Sequence, residues 1–129
     1  MVQARMARTK KPPVSPQDKA VIGALLRDLR KAAGYRSVEL AALTDGCPAS
    51  RQTIYSYERG GLTPSLHQFL ELIEFYVLDA PRGAAAKSEA DLRAFGVAAV
   101  THALTLPAYN MVEAMRLIAR MRPEAWGRP

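Results

Sequence analysis

The chain has 129 residues, which suits one ordinary domain or a small domain with an appendage. Apolar residues make up 49% and charged residues 23%. This composition supports a buried core and excludes a chain that is disordered over its whole length. The single cysteine excludes an internal disulfide, and no apolar run reaches the roughly 18 residues that a transmembrane helix needs. We therefore expect a cytoplasmic protein without a metal site or a cofactor.

The net charge of +6 lies entirely in the first half of the chain. Residues 1–64 hold 11 basic and 5 acidic side chains, whereas residues 65–129 hold 7 of each. A one-sided basic excess favours a polyanionic partner, with nucleic acid as the first candidate and an acidic membrane surface as the second. No apolar signal segment follows the basic N-terminus, so neither secretion nor a membrane partner is expected.

Residues 1–14 are predicted to form a flexible basic arm that ends at a pair of prolines. Its basic residues are Arg5, Arg8, Lys10 and Lys11. Two interpretations stay open, a solubilising tail and an arm that reaches along DNA.

Apolar residues at helical spacing, preceded by cap-like residues, predict six helices after this arm. They span about 17–33, 37–44, 51–58, 64–77, 89–104 and 107–121, with Thr63-Pro64 and Thr105-Leu106-Pro107 as the starts of the fourth and sixth. Strand-like alternation is absent, so the predicted fold class is all-α. The predicted domains are a main domain at 15–78, a linker at 79–87 and a small helical C-terminal domain at 88–129.

The helix predicted at 51–58 has the properties of a DNA-reading helix. An α-helix fits the major groove of B-DNA, and polar side chains near its N-terminus can reach the base edges. Arg51 can bind guanine and Gln52 can bind adenine, each through two hydrogen bonds. The Ser50 hydroxyl and the amides at the helix start suit a phosphate.

Several segments together resemble the Xre/Cro-type helix-turn-helix family of phage and bacterial repressors. They are residues 22–30, Glu39-Leu40-Ala41, residues 50–54, Tyr57-Glu58-Arg59-Gly60 and Thr63-Pro64-Ser65. The resemblance covers about residues 18–77 and implies a lambda-repressor-like helical domain in which helix 51–58 is the recognition helix. It also implies a structural ion pair between Arg30 and Glu58.

The resemblance further implies which residues touch DNA. The expected base-reading residues are Arg51, Gln52, Tyr55 and Ser56, although Tyr55 would either read a thymine methyl or pack. The expected phosphate contacts are Ser50, Arg36, Ser37, Arg59 and Thr63. Two departures leave the pose of the recognition helix open: Arg36-Ser37 replaces the family's usual Ser-Gln, and the turn before the recognition helix is about three residues longer.

Three interpretations remain open for residues 88–129. Residues 98–118 also fit a helix, a turn and a helix, which would make Tyr109, Asn110 and Arg116 a second DNA contact. Alternatively, the last helix pairs with a second copy of the chain through Met111, Val112, Met115, Ile118 and Met121. The third interpretation is simple packing onto the main domain.

The sequence therefore predicts a transcriptional repressor that binds a double-stranded DNA operator, as a homodimer or as a monomer with two DNA-contacting units. Short chains of this layout are similar to immunity repressors of temperate actinobacterial phages. The alternative is an antitoxin-like module whose C-terminal helices bind a partner protein, with DNA binding for autoregulation. An enzyme is not expected, because no phosphate-cradling glycine loop, metal-helix motif or nucleophile-base set is recognisable.

Overall fold

The computed structural model describes residues 14–80 and 86–127. Within these ranges all regular secondary structure is helical and no strand is present, which confirms the predicted all-α class. The α-helices are α1 Pro16–Ala32, α2 Val38–Leu43, α3 Arg51–Glu58, α4 Leu66–Leu78, α5 Glu89–Ala103 and α6 Met111–Ile118. A 3₁₀ helix, Pro123–Trp126, follows α6.

Side-chain caps set the starts of these helices. In each of four helices a serine hydroxyl accepts a hydrogen bond from the backbone N–H three residues later, which satisfies a donor that has no partner inside the helix. These serines are Ser15, Ser37, Ser50 and Ser88. Helices α1, α2, α3 and α5 accordingly begin within one residue of their predicted positions.

Helix α4 begins two residues later than the sequence suggested. Ser65 and Gln68 form a reciprocal capping box, in which each side chain accepts from the backbone N–H of the other residue. Pro64 therefore precedes the helix instead of occupying its first turn. The predicted Thr63 cap is wrong, since the Thr63 hydroxyl is buried without a hydrogen-bond partner among the described residues.

Helix α6 also differs from its prediction, because it begins at Met111 and not at Pro107. The Asn110 side chain caps it by accepting a hydrogen bond of 2.9 Å from the backbone N–H of Glu113. Residues 104–109 form a turn stabilised by backbone hydrogen bonds, including one from Leu106 to Ala103. The helix therefore begins after Asn110, a strong N-cap residue, and not at Pro107, although proline is common in the first turn of a helix.

Helix α4 is the centre of the hydrophobic core. Eight of its 13 residues are buried, and both α1 and α3 pack against this cluster. The inward side chains from α1 and α3 are Ile22, Leu26, Leu29, Ile54 and Tyr57. Tyr35, in the loop after α1, stacks on Phe75 of α4 with ring centroids 5.6 Å apart. The amphipathic stripes recognised in the sequence therefore converge on one helix.

The C-terminal helices share this same core. Gly96 of α5 faces α4 so closely that a Cβ there would lie 3.0 Å from a methyl group of Ile73 and another of Val77. Lys87 donates its backbone N–H to the Ala32 carbonyl at 3.0 Å, which holds the segment before α5 to the end of α1. Residues 81–85 of the predicted linker lie outside the described residues. The described part of the C-terminal unit is thus packed on the main domain and is not a separate core beside it.

Helices α1 and α3 cross at Gly23. A Cβ at this position would overlap the carbonyl oxygen of Tyr57 and lie 2.8 Å from that of Glu58. Both obstacles are backbone atoms, which cannot move aside without displacing α3. The crossing distance therefore depends on the absence of a side chain at residue 23.

We expect Gly23→Ala to lower the free energy of unfolding by at least about 1–3 kcal/mol, the cost of overpacking a tight contact. The matched control is Gly61→Ala, where a Cβ would make only an ordinary contact at 3.7 Å with the Ser56 carbonyl. The control should stay within about 1 kcal/mol of the wild type. Urea denaturation of both variants measures the difference, and equal stabilities would contradict the proposed crossing.

Candidate nucleic-acid interface

A buried ion pair attaches the end of α3 to α1. The Arg30 guanidinium donates to both carboxylate oxygens of Glu58, at 2.8 and 2.9 Å, and to the Tyr35 carbonyl at 2.9 Å. The two charged side chains are only 6% and 7% exposed. The hydrogen bonds to Glu58 raise the pKa of Arg30. The ion pair that the family resemblance implies is therefore present, and it fixes the C-terminal end of α3.

The outward side of α3 borders an open cavity of about 510 Å³. We call the residues that line this cavity the α3 surface. The α3 surface consists of Glu39, Arg51, Gln52, Thr53, Tyr55, Ser56, Arg59 and Leu62. All four residues expected to read bases lie on it, together with one expected phosphate contact, Arg59. The structure thus brings these five residues together on one side of the domain.

The two sides of α3 are clearly separated. Ile54 and Tyr57 point into the core, and the Tyr57 hydroxyl donates to the Gln68 side chain at 3.1 Å. Arg51 and Gln52 are exposed in the first turn of the helix. Side chains in this position can reach base edges when the N-terminal part of a helix enters a major groove.

Glu39 of α2 lies directly against α3, and the sequence did not single it out as a site residue. Its Oε2 accepts a hydrogen bond of 2.8 Å from the Tyr55 hydroxyl and lies 3.7 Å from Nη1 of Arg51. Its own backbone N–H and the Tyr55 hydroxyl both lower the pKa of Glu39. The carboxylate in turn raises the pKa of Tyr55. Only the Glu39-Leu40-Ala41 triplet of the resemblance pointed towards this residue.

The other expected phosphate contacts have different surroundings. Arg36 is exposed at the start of α2. The hydroxyls of Ser37 and Ser50 serve as helix caps, and Ser50 also donates to the Thr53 hydroxyl. The Thr63 hydroxyl is buried, so its side chain is not placed to meet a phosphate in this structure.

The four basic residues expected to act as a DNA-binding arm lie outside the described residues. They are Arg5, Arg8, Lys10 and Lys11.

The possible second DNA contact needs correction at Tyr109. This side chain is buried, its hydroxyl donates to the Pro64 carbonyl at 2.8 Å, and its ring lies 5.4 Å from that of Phe69. Burial raises the pKa of Tyr109. Asn110 uses its side-chain oxygen as the α6 cap, while Arg116 is exposed. Tyr109 therefore packs the start of α6 against the loop before α4 and does not offer its hydroxyl to DNA.

The described part of the chain offers neither a metal site nor a membrane-spanning helix. No group of three or more histidine, cysteine or acidic residues there is arranged to hold a metal ion. None of the described helices has the length and apolar character needed to cross a membrane.

Comparison with known protein families agrees with this geometry. A family model described as a helix-turn-helix domain matches residues 21–86, which is just over half of the chain. The chain therefore belongs to this helix-turn-helix family, whose fold indicates a DNA-binding regulator. No curated protein and no solved structure matches the sequence.

The buried pair should behave as a unit in stability measurements. Arg30→Met or Glu58→Leu alone leaves one buried charge without its partner, so each should cost about 3–5 kcal/mol. The double variant should recover most of this loss and stay about 1–3 kcal/mol below the wild type, because the Tyr35 carbonyl still loses its donor. Urea denaturation of all four proteins checks this cycle, and additive losses would contradict the coupling.

Proposed function

We propose that this protein is a sequence-specific repressor of the Xre/Cro type that binds a double-stranded DNA operator. The observation that carries the proposal is the α3 surface, where exposed Arg51 and Gln52 stand in the first turn of a helix whose other side is buried. In the proposed complex α3 enters the major groove, Arg51 binds guanine and Gln52 binds adenine.

Contacts to the DNA backbone would complete this binding mode. Arg59 lies at the C-terminal end of α3 and Arg36 at the start of α2, and both are exposed. Each can pair with a phosphate on the rim of the groove, and such contacts set the register of the protein on the duplex. The basic residues of 1–14 add a sequence-independent attraction to the same duplex. Bound protein would then exclude RNA polymerase from an overlapping promoter.

The biological role we propose is phage immunity, in which the repressor silences the lytic promoters of a resident phage. This proposal rests on the resemblance of the chain's layout to such repressors, with a DNA-reading unit followed by a short helical C-terminal unit. A reporter gene tests whether the protein represses or activates, provided that its promoter contains a duplex that the protein selects from a random-sequence library. Co-expression of the protein should lower reporter output, and an increase would contradict repression.

The DNA-binding proposal is tested by selecting duplexes from a random-sequence library with the wild-type protein. Dissociation constants for the selected duplex are then measured at one fixed salt concentration. Arg51→Ala and Gln52→Ala should each lose roughly 1–3 kcal/mol of binding and relax the preference at one base pair.

The matched control is Arg120→Ala, which removes the same charge from an exposed position after α6. It should leave the selected sequence unchanged. If Arg120→Ala weakens binding as much as Arg51→Ala, the affinity reflects charge alone and base reading by α3 is wrong.

A second proposal concerns α6 and favours a protein contact there. Met111, Val112 and Met115 are 58%, 57% and 66% exposed, and only Ala114 of this helix is buried. Large apolar side chains exposed together on one helix are typical of protein-binding surfaces. We propose that a second copy of the chain covers these side chains. Of the interpretations considered for residues 88–129, this proposal takes self-association in place of a second DNA contact.

Charge on α6 supports pairing with an identical helix. Glu113 and Arg116 lie three residues apart and therefore on the same flank of α6. In an antiparallel pair with two-fold symmetry the same flanks of both helices meet, so Glu113 of one copy faces Arg116 of the other. An antitoxin-like module would use the same apolar side chains for a different protein.

We expect light scattering of the wild-type protein at micromolar concentration to give twice the chain mass of 14.1 kDa. Met115→Asp should return the mass to that of one chain, because it places a charge in the apolar contact. Val97→Asp, which alters a 40% exposed side chain on α5, is the control and should remain paired. A wild-type mass of 14.1 kDa at all concentrations would overturn self-association and favour the antitoxin-like alternative.

A further inference from the structure

Glu39 places a negative charge on the surface that is proposed to face DNA. Its side chain is 42% exposed, and it lines the α3 surface together with Arg51 and Arg59. A carboxylate repels the phosphates of any duplex that approaches, whatever the sequence. Its position therefore weakens general DNA affinity, which raises the question of what this carboxylate contributes to the surface.

The contacts of Glu39 show which residues it serves. It accepts the Tyr55 hydroxyl at 2.8 Å and lies 3.7 Å from one terminal nitrogen of Arg51. An arginine has five N–H donors, so a contact through one end leaves the others for a base. Tyr55 lies one helical turn after Arg51, so its hydroxyl holds the carboxylate beside the arginine.

We propose that Glu39 is a positioning and specificity-determining residue of the DNA-binding surface, an inference that rests on the proposed function. The carboxylate holds Arg51 in the orientation needed to bind guanine and keeps its guanidinium away from neighbouring phosphates. On a non-matching duplex Arg51 remains paired with Glu39, and the repulsion of the carboxylate from phosphate is not offset. Discrimination thus arises from a weaker general affinity as well as from the guanine contact.

The test uses Glu39→Gln, which keeps the shape of the side chain and removes its charge. The full-length wild type, Glu39→Gln and Arg51→Ala are each used to select duplexes from the same random-sequence library. Dissociation constants for the wild-type winner and for a scrambled duplex are then measured at several salt concentrations. Thermal unfolding of each protein verifies that the fold is retained.

We expect Glu39→Gln to bind the scrambled duplex several-fold more tightly and to reduce the ratio of specific to general affinity by about tenfold or more. The salt dependence on the scrambled duplex should steepen by up to about one unit of log–log slope, because one repulsive charge is removed. The selected motif should lose its preference at the same base pair that Arg51→Ala relaxes. If Glu39 had only a structural role, Glu39→Gln would not relax the preference at the same base pair as Arg51→Ala.

Two further variants sharpen the result. Tyr55→Phe removes the hydroxyl that holds the carboxylate, so it should relax the same base pair to a smaller degree. Glu124→Gln makes the same change of net charge on the 3₁₀ helix, which packs against α4 and α5, and should alter neither the motif nor the affinity ratio.

Two outcomes would overturn the inference in distinguishable ways. If the wild type selects a motif and Glu39→Gln selects the same motif with the same affinity ratio, the role of Glu39 is wrong and the proposed function stands. If the wild type enriches no sequence at all, the proposed function fails and the inference fails with it.

Discussion

The attachment of α3 to α1 is the constraint on which the rest of the structure depends. Helix α3 has only eight residues, too few to be stable as an isolated helix, so its position comes from its contacts. Gly23 permits the close crossing, and the buried pair of Arg30 and Glu58 fixes the end of the helix. Residues that are hidden from solvent thereby determine where Arg51 and Gln52 point.

Helix α2 packs against α3 despite the long turn between them, and this packing adds Glu39 to the α3 surface. Seven residues, 44–50, join α2 to α3, yet the two helices stay in contact. Val38 and Ala41 of α2 are buried in the same core as Ile54 of α3, so this packing compensates for the extended connection. Glu39 is next to the buried Val38 and lines the exposed side of α3. Its negative charge lies there together with the positive charges of Arg51 and Arg59.

The C-terminal helices extend this arrangement, because they share its core. The close approach of α5 to α4 at Gly96, and the hydrogen bond from Tyr109 to the loop before α4, link α6 to the domain that carries α3. Pairing of two chains through α6 would therefore set the distance between their recognition helices. A fixed distance is what a palindromic operator with regularly spaced half-sites requires.

The sequence by itself determined the all-α class and the limits of α1, α2, α3 and α5 to within one residue. It also identified five of the residues that line the outward side of α3, namely Arg51, Gln52, Tyr55, Ser56 and Arg59. These features are local, because serine caps and apolar periodicity act within a turn or two of the chain. The starts of α4 and α6 were misjudged, since Pro64 and Pro107 imitate helix starts while Ser65 and Asn110 provide the actual caps.

Only the tertiary structure decided that Glu39 joins the α3 surface and that Tyr109 is buried. These contacts connect residues 16 and 45 positions apart, and they exist only once the helices have packed. Side-chain type and spacing describe what one segment can do, whereas burial and partners depend on segments that are distant in the chain.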